Sequence, residues 1–569
     1  MEDLQIHNLQ EELLPGSRRI IKDEHASTSD DSLLEKHGDV ILVPQPTQSP
    51  NDPLNWSLAR KIWHTLLVCY ITALTAGTAN TAGAAAVGVN EEYGISYDVF
   101  NTGAGILFIG IGYWTLLASP GSHLYGRRIA YLVSCVWGII GNFWFGRLQN
   151  KNDTIWTQLF VGASEAVGEA AVQLSLLDIW FEHQNGTSLG LYTLATSLGT
   201  YIGPLLGGHI ASSSLGWRWI GYWGGIASVI TLAIFYFGLE ETSFPRDRYL
   251  SLQSQVIDDS PADPTAVPHA ADGTVEAAPP STAAQYPDEK NVGSNPIATA
   301  QRRISVSFSQ RKTYWQRIAV ITPAPNLRGW GFKQYGKRLW STLRIFTFPA
   351  CIYAGLQWGM QNVCLSYYLT VQEDHWIGPP WYYSDAAVAN MNLACLIGSV
   401  IGCFYGGYLS DKFQIWMSRR NNGIMEAEFR LALMVPCALI FPAGMLLFGI
   451  GSEHGWAWPV PYVGLGFIGF GYGCAGDLSI TYLADAYPDM ILEGMVGVAV
   501  INNTLAMIFT FAASGWLDSG IQNCFIALAV ISFVVMILSA PMMYWGKSIR
   551  RWTRPMYTNY LHLRDGMDQ

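Results

Sequence analysis

Twelve predominantly apolar stretches, each close to the length a helix needs to cross a bilayer, constrain this chain more than any other feature. A spanning helix takes about 20 mainly apolar residues to traverse ~30 Å of hydrocarbon. Runs of that kind occupy approximately 63–88, 101–119, 129–147, 156–180, 187–211, 217–239, 344–370, 385–409, 429–450, 458–484, 493–515 and 524–546. Gly and Pro interrupt several, which membrane helices tolerate because neighbouring helices satisfy the freed backbone groups. Only 13% of the 569 residues are charged, against roughly 25% in an average soluble domain. The expected fold is an all-α integral membrane protein of twelve transmembrane helices, arranged as two six-helix bundles over 61–243 and 344–546.

The net charge of −10 says little about partners, because much of the excess acid lies in a tail with Glu2, Asp3, Glu11, Glu12, Asp23, Glu24, Asp30 and Asp31. Residues 1–60 read as an acidic, solvated, disordered arm. Such a start lacks the basic flank and short apolar core of a secretory signal, so the first apolar run is expected to direct insertion. The nine cysteines fall within or beside the apolar runs without metal-ligand spacing and read as small packing residues.

Lys and Arg are retained on the cytoplasmic side of short loops. Placing the N-terminus inside puts Arg127, Arg128, Lys412, Arg419, Arg420, Arg430, Lys547, Arg550, Arg551 and Arg554 in the cytoplasm, whereas the outer loops near 89–100, 371–384, 451–457 and 516–523 hold no Lys or Arg, with Arg147, Lys151 and Arg218 as the exceptions on that side. Both termini, including the tail 547–569, are therefore expected inside. The segment 244–343 separates six runs from six, and its first part, rich in Pro, Ala, Ser and Asp, cannot bury enough apolar surface to fold. Its later part mixes Lys and Arg with Tyr314, Trp315, Trp330, Phe332 and Trp340, which suits a helix lying at the anionic inner leaflet. Arg302-Arg303-Ile304-Ser305 resembles a basophilic kinase site. Asn152-Asp153-Thr154 is the one glycosylation triplet in an expected outer loop, short and close to the membrane, so Asn152 is the candidate there.

Six runs, a central linker and six more match the two-halves plan of transporters that alternate access around a midplane site. Gly126-Arg127-Arg128 stands between runs two and three, and Gly407-Tyr408-Leu409-Ser410-Asp411-Lys412 between runs eight and nine. Both resemble the cytoplasmic loop motif of the major facilitator superfamily, in which a small residue permits close helix approach and an acid and bases form a charge latch. His123 stands where the first copy usually has its acid, so the latch is expected to be one-sided, carried by Asp411. Run five contains Gly199, Gly203, Pro204, Gly207 and Gly208 in a pattern resembling the motif of drug/proton antiporters. Glycines four apart also let helix backbones approach. With Pro53-Leu54-Asn55-Trp56 and Gly216-Trp217-Arg218-Trp219, residues 42–550 are similar to the fungal twelve-span drug/proton antiporter family, in the branch that includes a polyamine and histidinol permease. That resemblance implies the major facilitator fold, proton-coupled movement of a small organic solute, a plasma-membrane location and no nucleotide hydrolysis. Gln158 replaces an Arg expected near the outer end of run four, which weakens the implied proton coupling.

An acid at a helix centre costs about 2.5–3.5 kcal/mol on insertion scales, so those present usually face a cavity. Glu165 and Glu169, four apart, are expected on one face of run four, where they could exchange a proton or hold a cation. Two protonated glutamates bonded to neighbouring helices are the structural alternative. Asp477 in run ten is a second candidate, whereas Asp178 and Asp485 read as helix-end contacts and His209 as a packed polar residue. Gln357 and Trp358 in run seven and Asn502 in run eleven could supply polar contacts in a mostly apolar cavity. Tyr367 and Tyr368 read better as interfacial anchors.

Two transport readings follow: proton-driven export of a small organic compound, favoured by the run-five motif, and import of an organic cation such as a polyamine, favoured by the paired glutamates. A non-transporting nutrient sensor would need longer cytoplasmic segments. No catalytic Ser–His, paired Asp or zinc pattern appears in the runs, and no Gly-x-x-x-x-Gly-Lys-Ser/Thr phosphate loop, so an enzyme or a self-powered ATP pump is not expected. The expected partners are a small organic substrate, protons and the lipid bilayer, with no nucleic acid, cofactor, metal or second copy of the chain.

Overall fold

The computed structural model describes residues 14–20, 36–37, 40–246, 249, 310–324 and 326–568. Within these, twelve long helical rods follow the apolar runs: α1 Leu58–Ala79, α2 Tyr97–Leu124, α3 Arg128–Phe145, α4 beginning at Lys151–Val167, α5 Asn185–Ala211 and α6 Arg218–Gly238. The second set is α7 Pro349–Asp374, α8 Asp385–Arg420, α9 Ala427–His454, α10 Val460–Ala486, α11 Ile491–Phe511 and α12 Ile521–Ile537, followed by a tail helix Ser539–Asp568. Rod α4 continues through a π-helical turn, Gly168–Val172, into Gln173–Ile179. A second π-turn, Tyr405–Leu409, lies inside α8.

Nine of the helices among the described residues are long and apolar enough to cross a membrane. Rods α4, α5 and α7 do not meet that apolar measure, and the reason is visible in their packing. They bury Gln158, Glu169, Gln173, Thr196, Thr200, Gln357 and Asn362 against other helices rather than facing lipid. Their polarity is interior.

The halves meet along α2 against α11 and along α5 against α8 and α10. Gly199 and Gly203 bring α5 onto α1: a Cβ at Gly199 would stand 2.2 Å from the Ala73 carbonyl oxygen, and one at Gly203 2.4 Å from that of Gly77. Gly207 lies against Ala84, and Gly208 turns to the other half, where a Cβ would meet that of Ala389 at 2.7 Å. Pro204 sits inside α5 among these contacts.

Part of the N-terminal arm is ordered, contrary to a wholly solvated reading. Ser17–Arg19 pairs antiparallel with Ile424–Glu426, and Ile20 is buried. Arg550 of the tail helix explains why, since its buried guanidinium binds Glu426 at 2.7 Å, Glu428 at 2.6 Å, the Ser17 hydroxyl at 3.1 Å and the Pro15 carbonyl. Arg18 then reaches the first half by an ion pair with Glu182. The acidic residues Glu2 to Glu12 and Asp23 to Asp31, and the Arg302–Ser305 segment, lie outside the described residues. Cys437 and Cys474 are bonded across α9 and α10, which corrects the packing-only reading for that pair; the other seven cysteines are free.

Candidate functional site

The sequence pattern puts two carboxylates in the middle of α4, and the π-turn modifies how they are aimed. An i→i+5 turn widens the helix and displaces the side chains that follow it, a feature frequent at functional sites. Glu169 lies in that turn and is buried, and the Trp358 indole and the Asn502 amide, both from the second half, stand near its carboxyl group without a hydrogen bond to it: Glu169 Oε2, Trp358 Nε1 and Asn502 Nδ2 are each enclosed and unpartnered among the described residues. Glu165 is half-buried one turn earlier, and its Oε2 is enclosed without a hydrogen-bond partner among the described residues. Tyr472 of α10 stands within electrostatic reach of both carboxylates.

Aromatic rings form the wall opposite. Trp358 and Tyr472 have centroids 4.9 Å apart, Tyr472 and Tyr201 6.0 Å, and Tyr201 and Tyr368 6.5 Å. Trp358 can lie this close to α10 because residue 476 is glycine: a Cβ there would stand 2.1 Å from the indole ring. Asn502 is oriented by Asn362, whose Nδ2 donates to its Oδ1 at 2.8 Å. The buried Lys and Arg among the described residues, Lys61, Arg128, Arg338, Arg430 and Arg550, all lie toward the end of the bundle that carries the termini. Among the described residues the two glutamates therefore have no buried Lys or Arg at their level. Carboxylates beside π-faces suit a cation, which the ring quadrupole also attracts.

Two of the expected site residues lie elsewhere. Gln357 donates to the Val535 carbonyl of α12 at 2.6 Å and so turns away from the glutamates. Asp477 accepts from Thr481 at 3.0 Å and faces the glycine patch of α5 and α8, where a Cβ on Gly190 would stand 3.0 Å and one on Gly407 3.2 Å from its Oδ2. Glu165, Glu169, Trp358 and Asn502 do come together. Tyr201, Tyr368 and Tyr472 join them: no spacing in the sequence singled out Tyr201 and Tyr472, and Tyr368, expected as an interfacial anchor, is instead fully buried in this wall, as is Tyr367 beside it.

The loop motifs cluster at the terminal end of the bundle. Gly126 takes φ +91°, and the Arg127 and Arg128 N–H groups that follow it donate to Glu241 at 3.1 Å each. Arg127 pairs with Asp178. In the second half Arg430 binds Asp411 at 2.8 Å and Asp485 at 2.6 Å. Asp411 also crosses to the first half, accepting from the Gly186 N–H at 3.0 Å and the Thr187 N–H at 2.7 Å. A carboxylate there satisfies orphan donors of α5 and complements its dipole. Lys412 is exposed beside the Tyr408 ring. His123, which stands where the first copy usually has its acid, faces Glu493 of α11 at 3.7 Å.

At the opposite end Asn101 donates to Ser514 at 2.8 Å and His209 contacts Asn390 at 3.3 Å, so the halves touch at both ends and enclose the glutamates between them. Asn152 lies exposed in the first turn of α4, followed by Asp153, which binds Trp144, and by buried Thr154. No group of three or more metal-ligating side chains occurs among the described residues.

The sequence profile of the Major Facilitator Superfamily matches residues 66–490. An uncharacterized MFS-type transporter of Schizosaccharomyces pombe is 46% identical over 559 residues, covering 98% of this chain and 96% of its own. Protein HOL1 of Saccharomyces cerevisiae is 46% identical over 576 residues, with coverage of 97% and 98%. Among solved structures, the proton:xylose symporter XylE bound to 6-bromo-6-deoxy-D-glucose aligns with a TM-score of 0.55 at 13% identity, over 86% of this chain and 96% of that one, a likeness of fold alone.

Proposed function

The chain belongs to the major facilitator superfamily, as a multi-pass membrane transporter and not an enzyme, and we propose that it is a proton-coupled secondary transporter of a small organic compound at the plasma membrane. The observation that carries this reading is the Glu165–Glu169 pair facing Trp358, Tyr472 and Asn502 of the other half. A site built from both halves changes access when they rock against each other. The terminal end, rich in Lys and Arg, is the cytoplasmic one in this reading. Export of a metabolite or drug is the direction that the α5 motif supports, with protons returning through the glutamates.

A second reading, import of an organic cation such as a polyamine, is favoured by the absence, among the described residues, of a buried Lys or Arg near the paired carboxylates and by the rings beside them. Radiolabelled spermidine, followed in cells with and without the chain at two external pH values, separates the two by the sign of the flux. A Glu165→Gln/Glu169→Gln chain should lose about tenfold or more of it, the scale of 1.4 kcal/mol. Unchanged flux in that double variant sinks the cation site, and flux indifferent to external pH sinks proton coupling.

A further inference from the structure

Between Gln310 and Arg344 the chain carries eight Lys and Arg and not one Asp or Glu, within a protein of net charge −10. Phe332–Thr342 forms a helix here. Its inner face buries Arg338, Ser341 and Thr342, and the Tyr335 hydroxyl donates to the Leu117 carbonyl of α2. Tyr125 holds the approach by donating to the Trp330 carbonyl at 2.5 Å. The helix touches α2 of the first half and α11 and the tail helix of the second.

The outer face has a different chemistry. Phe332 and Trp340 are 80% and 72% exposed, Trp330 just before them 80%, and Lys333, Lys337 and Arg344 stand exposed beside the rings at helical spacing. Leu117, the anchor point, lies in the last turn of the second apolar run and is itself exposed on α2, which sets this helix at the level where hydrocarbon gives way to headgroups. Aromatic rings partition to that level, and long cationic side chains extend from it to charged headgroups.

We propose that this face is a docking surface for anionic phospholipid headgroups in the leaflet at the terminal end of the bundle. The charge of the segment is complementary to such a surface, the rings match its depth, and an acidic protein partner would require neither the depth nor the tyrosine anchor on α2. Because the helix touches both halves, its lipid-bound form steadies the junction where α2 meets α11.

The full-length chain with Gly336→Cys tests this, since a Cβ at Gly336 meets nothing within 4 Å. It is labelled with bimane, the parent chain labelled alike gives the background, and the protein is placed in nanodiscs of phosphatidylcholine with or without phosphatidylserine, using lipids brominated high in the acyl chain as quencher. Quenching is expected to be about twofold or more stronger with phosphatidylserine and to fall as salt rises. The Lys333→Glu/Lys337→Glu/Arg344→Glu chain should lose that difference, whereas Lys333→Arg/Lys337→Arg/Arg344→Lys should keep it. Equal quenching in the two membranes, absence of quenching in both, or a triple-acid chain that behaves as the parent overturns the proposal.

Discussion

His123 Nε2 stands 3.7 Å from Glu493 Oε1, so the end of α2 in one half meets the first turn of α11 in the other. The reciprocal junction joins α8 to the first turn of α5, where Asp411 accepts the Gly186 and Thr187 N–H groups. One junction pairs an acid with a bare helix N-terminus; the other pairs a histidine with a helix whose first turn supplies the acid. Both hold the halves together at the terminal end with opposite polarity.

Replacing His123 by Asp should therefore set two carboxylates against each other and loosen that junction. Amide exchange over the first turn of α11 should rise about tenfold, equivalent to 1.4 kcal/mol. His123→Asp/Glu493→Gln should return it toward the parent rate. Exchange unchanged in the single variant would show that the contact does not hold the halves.

Arg550 is buried with Glu426 and Glu428, which between them hold its side chain and lift its pKa, the carboxylates outweighing burial. Arg550→Met leaves Glu428 enclosed without its guanidinium partner, while Glu426 keeps Lys547 at 2.6 Å, and should cost about 3–5 kcal/mol, read as a lower melting temperature of the detergent-solubilised protein. Lys547→Met, at a side chain 53% exposed, should cost no more than ~1 kcal/mol. Adding Glu426→Leu and Glu428→Leu to Arg550→Met should recover much of the loss.

Burial pushes the Glu182 carboxyl up to about 7, and Arg18 pulls the other way. Undocking the N-terminal strand returns Glu182 toward water and its lower ordinary pKa, so by linkage docking is favoured below about 7 and weakened as pH rises through it. Limited proteolysis of residues 14–20 should accelerate on raising the pH from 6 to 8, in the direction set by that pKa. Glu182→Gln should cleave at the acid rate at both values, and a pH-independent rate in the parent would remove Glu182 from strand docking.

Gly203 leaves no room for a side chain against the Gly77 backbone of α1. Gly203→Ala should destabilise by about 1–3 kcal/mol through overpacking, seen as a lower melting temperature. Gly336→Ala, where a Cβ meets open space, should leave it unchanged or raise it.

The apolar runs were legible because hydrocarbon sets a minimum length and an apolar composition, met by nine helices among the described residues, although their ends were not: run 63–88 corresponds to α1 Leu58–Ala79. Loop residues such as Asp411 and Arg127 were legible for a related reason: charge at a helix end has few alternatives to a partner near that end. Glu165 and Glu169 stood out because a carboxylate in such a run is costly. Gln357 and Asp477 looked equivalent to Trp358 and Asn502 in sequence, yet turn toward α12 and toward the glycines of α5 and α8. Run position does not say which way a side chain faces when all neighbours are helices, and the π-turn of α4 breaks the regular spacing from which a face could be read.

The sequence by itself determined a two-halved membrane bundle and its likeness to the major facilitator family, since hydropathy, length and charge asymmetry are properties of single segments. Only the tertiary structure decided that Glu169 faces Trp358 and Asn502, that His123 meets Glu493, and that the N-terminal strand is gripped by Arg550. Each of these joins residues far apart in the chain, and their meeting depends on helix rotation and close glycine packing, quantities that no local pattern of residue types contains.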